Sequence, residues 1–301
     1  MCRETILRYN DPAANFNEAL PLGNGRIGAM IYGDAAFEKI PLNEDSVWSG
    51  GLRHRVNPDA AEGLEEVRRL IKEGNIPEAE RIAFDKLQGV TPNMRRYMPL
   101  GDLHIDLELS GRARNYNRRL DIGNAVADVT FTVNDVLYRK EYFISAPDEV
   151  MAVRISCAER GMINLSAYID GREDYYDDNR PCGKNMILFT GGSGSRDGIF
   201  FAAVLGAKAR GGSIRTLGGR IAVEKADEVI LIFSVRTSFY GDNYEKSALI
   251  DAEMALKAEY DELRLHHVND YKDMFDRVDF SLCDNTEENL DKLDTAERIK
   301  R

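Results

Sequence analysis

The sequence predicts a mainly β protein in which two large sheets pack face to face. Three observations support this fold. Apolar residues alternate with polar ones over much of the region from residue 20 to about 240, Gly and Asn turns separate these runs, and the period lengthens to that of a helix after residue 243. With 301 residues, the chain is long enough to bury a full core.

Two kinds of strand are predicted. Runs with apolar residues at every second position, which predict strands with one face toward solvent, lie at 103–109, 129–133, 151–155 and 163–169. Two other runs, IFFAAVLGA at 199–207 and VILIFSV at 229–235, are almost continuously apolar. We expect this second kind to be covered on both faces.

Two short helices are predicted as an insertion between the early strands. Asn57 can cap the first, Pro58 can occupy its first turn and Gly74 can end it. Pro77 begins the second helix, which continues to Gly89. The apolar face of the first helix is predicted to consist of Leu64, Val67, Leu70 and Ile71.

A helical part is predicted after residue 243. One long amphipathic helix is expected over about 244–265, followed by a short helical stretch at 270–278. The tail over 284–301 is highly charged and is expected to be a connector. The spacings of three and four that predict the long helix are those of Leu249, Ala252, Leu256, Tyr260 and Leu263.

Composition argues against several classes of partner. A net charge of −11 and a pI near 5.0 disfavour nucleic-acid binding, which needs clustered Lys and Arg. No window reaches the roughly 18 apolar residues of a membrane span, and the first ten residues lack a signal peptide's apolar stretch. We therefore expect a cytoplasmic protein with no membrane partner.

Cysteine spacing predicts free thiols. Cys2, Cys157, Cys182 and Cys283 lie far apart and form no C-x-x-C pair. This spacing supports neither a zinc site nor a disulfide framework. No metal site and no cofactor are expected.

Three motifs could suggest a ligand or metal site, but each is better explained as ordinary structure. GGSGSRDG at 191–198 stands between two strand-like runs, which favours a hairpin connection over a phosphate-binding loop. The acidic stretch GREDYYDDN at 171–179 lacks the spacing of a calcium loop and is predicted to be a solvated loop. His266 and His267 are adjacent, so on a helix they point in different directions.

PLNEDSVWSGG at 41–51 is the best local candidate for chemistry. Glu44 and Asp45 are neighbouring carboxylates, Asn43 offers an amide, and Trp48 is the only tryptophan, a flat ring on which a sugar could stack. A glycosidase needs two carboxylates on opposite sides of the scissile bond. The alternative is ordinary turn chemistry with Trp48 as a core or interface anchor, because adjacent carboxylates on an extended segment point apart.

Several long segments carry a family resemblance over nearly the whole chain. They resemble, in order and spacing, the N-terminal part of glycoside hydrolase family 95, whose members are inverting α-L-fucosidases, some of which accept α-L-galactosides. The segments are ALPLGNGRIGAMIYGDAAFEKIPLNEDSVWSGG, NPDAAEGLEEVRRLIKEGNIPEAERIA, YMPLGDLHIDL, YRKEYFISAPDEVMAVRIS, VRTSF and HVNDYKDMFDRVDFSL.

This resemblance implies an architecture and assigns catalysis to a different domain. It implies a large two-sheet β super-sandwich with two inserted short helices over 1–243, and a C-terminal helical linker over 244–301. In the family an (α/α)6 barrel and a C-terminal β domain follow, and KLDTAERIKR is similar to the segment that leads into the barrel. The general acid and the water-activating residues lie in that barrel, so no catalytic residue is assigned here.

The expected function is therefore that of an accessory domain that docks on and supports a catalytic barrel. The barrel would be supplied in cis or as a separate chain, and the substrate would be a fucosylated or galactosylated oligosaccharide. The chain would be an isolated domain, a gene fragment or one half of a split enzyme, inactive alone. Two alternatives stay open: a stand-alone carbohydrate-binding module, and a complete glycosidase or mutarotase-like enzyme.

The glycine-dense stretch at 19–33 is interpreted as part of the docking surface. Gly23, Gly25 and Gly28 permit a tight turn and a close approach. The alternative is a hairpin turn without a partner. A docking face would leave a large apolar patch, whereas a lectin-like module would show Trp48, or Tyr175 and Tyr176, in a concave site. The candidates for docking or substrate proximity are Asn24, Arg26, Asn43, Glu44, Asp45 and Trp48.

Overall fold

The computed structural model describes residues 5–51, 53–90, 94–172, 175–280 and 293–299. The fold is mainly β, as predicted, with two antiparallel sheets of nine and seven strands. Each sheet has one face turned toward the other, so the alternation along each strand buries one set of side chains between them.

The nine-stranded sheet has the strand order β1-β6-β7-β8-β9-β16-β13-β12-β11. Its strands are β1 (Ile6–Tyr9), β6 (Arg114–Asp121), β7 (Val126–Val133), β8 (Val136–Ser145), β9 (Val150–Cys157), β11 (Tyr176–Pro181), β12 (Met186–Gly192), β13 (Phe200–Arg210) and β16 (Glu228–Thr237).

The seven-stranded sheet has the order β14-β15-β10-β5-β4-β3-β2. Its strands are β2 (Leu20–Gly23), β3 (Ile27–Ile31), β4 (Phe37–Glu44), β5 (Gly101–Leu107), β10 (Ile163–Asp170), β14 (Ser213–Leu217) and β15 (Arg220–Ala226). A short 3-10 helix at Phe16–Glu18 precedes β2.

The main core lies between the two sheets. In the seven-stranded sheet, Ile40 of β4 pairs with Leu103 of β5, which in turn pairs with Ile169 of β10. All three side chains are almost fully buried. Because residues two apart along a strand share a face, this register keeps the apolar set inward across neighbouring strands. The run predicted over 103–109 ends as a strand at Leu107.

The two continuously apolar runs are covered on both faces, as predicted. They form β13 and β16 in the middle of the nine-stranded sheet. One face of these strands contributes to the main core, while the other packs under the C-terminal helices in a second apolar cluster. This helical cover explains why both strands lack a polar alternation.

The prediction of one long helix over about 244–265 is wrong. The structure has α3 (Tyr244–Lys257) and α4 (Tyr260–Phe275), and the predicted stretch at 270–278 is mostly the end of α4. Ala258 between them is extended, with φ −71° and ψ 159°. Lys208 stabilises this break, because its Nζ lies 3.0 Å from Glu259 Oε1 and 3.4 Å from the Ala258 carbonyl oxygen.

The two inserted helices are confirmed as α1 (Ala60–Lys72) and α2 (Ile76–Lys86), which pack chiefly on each other. Asn57 makes the predicted capping contact, although α1 itself begins at Ala60, after a turn at residues 58–59. Its Oδ1 accepts from the Asp59 amide, and its Nδ2 donates to the Lys86 carbonyl at 2.8 Å, which ties the two ends of the pair together. The buried apolar face of α1 is narrower than predicted, because Leu64 and Ile71 are 38% and 54% exposed.

The small core of this helical pair consists of Val67, Leu70, Ala79 and Ile82. Gly74, at φ +76°, ends α1 in the left-handed region as predicted. A fifth helix, α5 (Thr295–Ile299), lies against β1, where the Arg8 amide donates to Thr295 Oγ1 at 2.9 Å.

The remaining sequence motifs have mixed outcomes. Residues 191–198 connect the paired strands β12 and β13, so the hairpin is confirmed. The acidic stretch at 171–179 is not only a loop, because its last residues form the start of edge strand β11, while residues 173–174 lie outside the described ranges. Cys157 and Cys182 are free thiols, and Cys2 and Cys283 lie outside the described residues. No helix in the described ranges has the length and hydrophobicity of a membrane span.

Candidate functional site

One end of the sandwich, here called the loop end, gathers most of the predicted candidates. The β2–β3 turn, the segment after β4, the β8–β9 turn and the segment after β16 meet there. Side-chain hydrogen bonds join them: Asn24 Nδ2 donates to the Ser145 carbonyl oxygen at 3.1 Å, and Arg26 Nη1 donates to that of Val235 at 2.6 Å. The antiparallel connections bring residues from distant parts of the chain together.

Asn24 organises the β2–β3 turn. Its Oδ1 accepts from the amides of Arg26 at 3.0 Å and Ile27 at 2.8 Å, the pattern of an Asx turn. Gly25 has φ +91°, a conformation that favours glycine, and a Cβ at this position would meet no other group within 4 Å. The turn is therefore set by local hydrogen bonds, and its tip is open to solvent.

Arg26 anchors the loop end from inside. Its side chain is only 12% exposed, and its Nε donates to Glu149 Oε2 at 2.6 Å. Its Nη2 forms a close ion pair with the same carboxylate, and its Nη1 lies 3.8 Å from Glu44 Oε1. Arg26 thus links the β2–β3 turn to the β8–β9 turn and to the end of β4.

Glu44 is fully buried at an inward position of β4. Its Oε2 accepts from the Ser46 amide at 2.8 Å and from Ser46 Oγ at 2.6 Å. Ser46 Oγ is also 2.6 Å from Thr237 Oγ1. Burial raises the pKa of Glu44, an effect that the Ser46 hydrogen bonds and the Arg26 charge oppose. This carboxylate holds the segment after β4 in place and has no access to solvent.

Asp45 and Trp48 face outward. The Asp45 carboxylate accepts from the Tyr240 hydroxyl at 2.9 Å, and Trp48 Nε1 donates to the Asp45 carbonyl oxygen at 3.0 Å. The Trp48 ring packs against Tyr97 with ring centroids 5.3 Å apart, and Tyr240 packs against Phe239 at 5.1 Å. We call these four exposed rings the aromatic rim: Trp48, Tyr97, Phe239 and Tyr240.

Asn43 is the candidate that the structure does not bring into this cluster. It pairs with Gly28 across the β3–β4 ladder, and alternation along β4 places its side chain on the face opposite to Glu44. Within the described ranges its side-chain amide forms no hydrogen bond with the loop-end side chains.

Several residues of the loop end were not predicted from sequence. Glu149, at φ +58°, contacts Arg26 through its Oε2 atom. Arg236 Nη1 lies 3.9 Å from that same oxygen. Arg236 Nε donates to Asp251 Oδ2 at 2.6 Å. The run SFYGDN at 238–243 carried a readable signal, because two aromatic residues before a Gly-Asp turn are unusual for a solvated loop.

The side chains that the loop end presents suit recognition of a binding partner. The one accessible carboxylate of the Glu44–Asp45 pair is that of Asp45, which is hydrogen-bonded to Tyr240. No group of three or more His, Cys, Asp or Glu side chains suited to a metal ion occurs in the described part of the chain. What the site presents is a rim of exposed aromatic rings held by buried ionic contacts.

Comparison with known proteins identifies the family. The family model described as "Glycosyl hydrolase family 65, N-terminal domain" matches residues 7–242. The chain belongs to this family. The resemblance predicted from sequence named family 95, and the relatives of this N-terminal domain carry the matching α-fucosidase names.

Two relatives cover nearly all of this glycosyl hydrolase N-terminal domain. "Alpha-L-fucosidase 2" of Arabidopsis thaliana is 30% identical over 336 aligned positions, covering 100% of this chain and 39% of that protein. "Probable alpha-fucosidase A" of Aspergillus niger is 28% identical, covering 92% of this chain and 38% of that protein. The resemblance to the N-terminal part of α-fucosidases is thus confirmed, and the chain spans about two-fifths of the length of these relatives.

A solved structure supports the fold. The chain of a "Putative kojibiose phosphorylase from human microbiome" matches with a TM-score of 0.52 at 10% identity. The match covers 91% of this chain and 38% of that chain. The glycosyl hydrolase N-terminal domain therefore shares its overall fold with part of a larger protein of a different name.

Proposed function

We propose that this chain is the N-terminal accessory β-sandwich domain of an α-L-fucosidase-like glycoside hydrolase, and that its loop end docks on the catalytic part. The observation that carries the proposal is the aromatic rim. Trp48, Tyr97, Phe239 and Tyr240 are 39%, 43%, 65% and 54% exposed although they contact one another in pairs.

Such a rim suits a protein interface. Trp, Tyr and Arg dominate the binding energy of protein interfaces, and they act best where the surrounding structure is rigid. Here the buried contacts of Arg26 with Glu149, and of Glu44 with Ser46, hold the loops that carry the rings. A stable interface buries on the order of 1,200 Å² or more in total, so the partner would extend beyond the rim itself.

The larger assembly is part of the same proposal. We infer a β-sandwich over 1–243 and a helical linker over 244–301 that leads toward an (α/α)6 barrel, in cis or as a separate chain. This chain covers 39% and 38% of the length of two relatives, which supports a longer protein that contains this domain. By the names of these relatives the substrate would be a fucosylated oligosaccharide, and the family 95 resemblance adds a galactosylated one. A cytoplasmic location and a role in carbohydrate metabolism belong to this proposal too.

Docking explains the rim better than a stand-alone sugar-binding module does. A module of that kind is expected to present Trp48, or Tyr175 and Tyr176, in a concave site. The Trp48 ring packs on Tyr97, and Tyr176 packs on Phe189 at 5.5 Å between centroids. A ring face that is engaged by another aromatic side chain has less area free for a sugar.

Complementation tests the proposal. The 301-residue chain is mixed with the separately expressed catalytic part from the same genome, and association is measured by sedimentation together with turnover of an aryl α-L-fucoside. We expect a complex and restored turnover, both weakened at least about ten-fold by the double change Trp48→Ala and Phe239→Ala.

The matched control is Leu137→Ala. Leu137 is 49% exposed near the β7–β8 turn, at the other end of β8 from the loop end. Loss of association with this control variant, or undiminished association with the double variant, would place the interface elsewhere.

A further inference from the structure

A cavity of about 450 Å³ lies beside the loop end, where β16 continues into α3. This volume falls within the roughly 300–1,000 Å³ that is usual for small-molecule sites. None of the six candidates predicted from sequence lines it. Its walls are formed by Arg236, Thr237, Tyr240, Gly241, Asp242, Asn243, Tyr244, Ser247, Ile250 and Asp251.

The charges of the cavity disfavour an anionic ligand. Its wall holds one guanidinium and two carboxylates, those of Arg236, Asp242 and Asp251. Arg236 Nε donates to Asp251 Oδ2 at 2.6 Å, which neutralises one of these carboxylates and fixes both side chains. The remaining negative charge would repel a phosphate or a sulfate, whereas a neutral ligand meets no such penalty.

The cavity also offers polar groups that are not used by the protein. Within the described residues, the hydroxyls of Tyr244 and Ser247 and the side-chain amide of Asn243 have no side-chain hydrogen-bond partner. Burial raises the pKa of Tyr244, so its phenol stays protonated at neutral pH and can donate. Hydroxyl, amide and carboxylate groups at short range suit a ligand that both donates and accepts.

The lining also has an apolar part. The rings of Tyr240 and Tyr244 and the side chain of Ile250 stand beside these polar groups. A pyranose has this same division, with C–H faces that pack on rings and hydroxyls that bond to planar polar side chains. Thr237 and Tyr240 are held by Ser46 and Asp45, so this wall is preformed.

We propose that this cavity is a binding site for one neutral saccharide unit, with Tyr244, Ser247 and Asn243 as hydrogen-bond partners of its hydroxyls. Arg236 and Asp251 form a fixed polar wall, and the Tyr244 ring and Ile250 contact the C–H faces of the sugar. The site belongs to this chain alone. It shares Tyr240 with the aromatic rim. It does not rest on the proposed docking, because sugar binding is measured without the catalytic part, so either proposal can fail without the other.

Ligand-observed saturation-transfer NMR on the 301-residue chain tests the proposal. The probes are methyl α-L-fucopyranoside and methyl β-D-galactopyranoside, with inorganic phosphate, followed by phosphorus line width, as the anionic comparison. We expect transfer to at least one pyranoside, no broadening of phosphate, and backbone amide shifts within residues 236–251.

Two variants and one control make the test specific. Tyr244→Phe removes only a hydroxyl and should weaken binding by about two- to ten-fold, while Ser247→Ala should weaken it less. Leu137→Ala lies at the opposite end of β8, outside the cavity and the aromatic rim, and should leave binding unchanged. The proposal is overturned by absence of transfer from both pyranosides, by equal binding in Tyr244→Phe and the unaltered chain, or by amide shifts outside this segment.

Discussion

Glu44 and Asp45 are adjacent in sequence, but one carboxylate lies inside the protein and the other lies on its surface. The Glu44 side chain is fully buried and accepts two hydrogen bonds from Ser46, whereas Asp45 is exposed and accepts from Tyr240. An inverting glycosidase needs an acid and a base about 6.5–9.5 Å apart on either side of one sugar. This pair cannot present that arrangement.

The first prediction is that the purified chain does not hydrolyse aryl α-L-fucosides or 2′-fucosyllactose above background. Glu44→Gln and Asp45→Asn should leave that background unchanged, because neither carboxylate is placed to act on a bound sugar. Release of the aryl group or of fucose is measured over many hours. Hydrolysis that disappears in Glu44→Gln would show that the chemistry resides in this chain.

The second prediction concerns the buried end of β4. Glu44→Ala removes the acceptor of the Ser46 amide and should lower the free energy of unfolding by about 1–3 kcal/mol. Glu44→Gln keeps an acceptor oxygen, so its cost should be about 1 kcal/mol or less. Urea unfolding of both variants measures the difference. Equal losses of unfolding free energy in the two variants would mean that the charge of Glu44, rather than its hydrogen bonds, holds the segment after β4.

The third prediction concerns the β2–β3 turn. Gly25→Val should destabilise the isolated chain by about 1–3 kcal/mol, because a β-branched residue at φ +91° is strained even with open space around it. Gly25→Asn should cost less, since Asn tolerates positive φ better. Thermal unfolding of the two variants makes the comparison. A Val variant as stable as the unaltered chain would contradict strain at this turn.

The fourth prediction is a pH dependence caused by His267. Its ring is buried, and Nε2 donates to the carbonyl oxygens of Asn124 and Ala125 at 3.1 and 3.0 Å. Burial lowers the pKa of His267 below its usual 6.5, although these hydrogen bonds oppose the shift. The unfolded chain therefore binds a proton more readily, and this residue's contribution to stability is lost as pH falls from about 6.5 through the lower folded value.

Unfolding free energies at several pH values between about 7 and 5 check this sign. The decrease toward acid should be smaller in His267→Gln than in the unaltered chain. His266→Gln is the matched control, because His266 is exposed and contacts Asp148 on the surface. An identical pH profile for His267→Gln and the unaltered chain would remove His267 as a cause.

The fifth prediction concerns the protection of backbone amides from hydrogen exchange. Amides over 244–265 should exchange faster than those of β13 and β16, because the helices pack on the sheet from one side only. Their other side leaves Ile250, Met254 and Leu265 at 43%, 66% and 57% exposure. Hydrogen exchange followed by mass spectrometry resolves these segments. Helices as protected as the central strands would contradict the expectation.

Much of the fold could be predicted because one face of nearly every strand is buried, and a buried face imposes alternation. The helix break could not be predicted, since Leu256, Tyr260 and Leu263 keep helical spacing across it and neither Gly nor Pro marks Ala258. The extended backbone there depends on Lys208, which lies on a distant strand.

The loop end was predictable in part. The inward position of Glu44 follows from alternation with Leu42 on the same strand. The other charged residues of the loop end were not predictable, because the order of strands in the nine-stranded sheet brings Glu149 and Arg236 there. A single sequence specifies which side chains face inward more readily than which strands become neighbours.

The helical pair α1 and α2 packs chiefly on itself, which has a consequence for how this domain can diversify. Its core is self-contained, and the bridge between Trp48 and Tyr97 closes its base. Lineages could lengthen, shorten or replace this excursion while β4 and β5 keep their register. For protein engineering, the same excursion is a natural place to graft a reporter or an affinity handle.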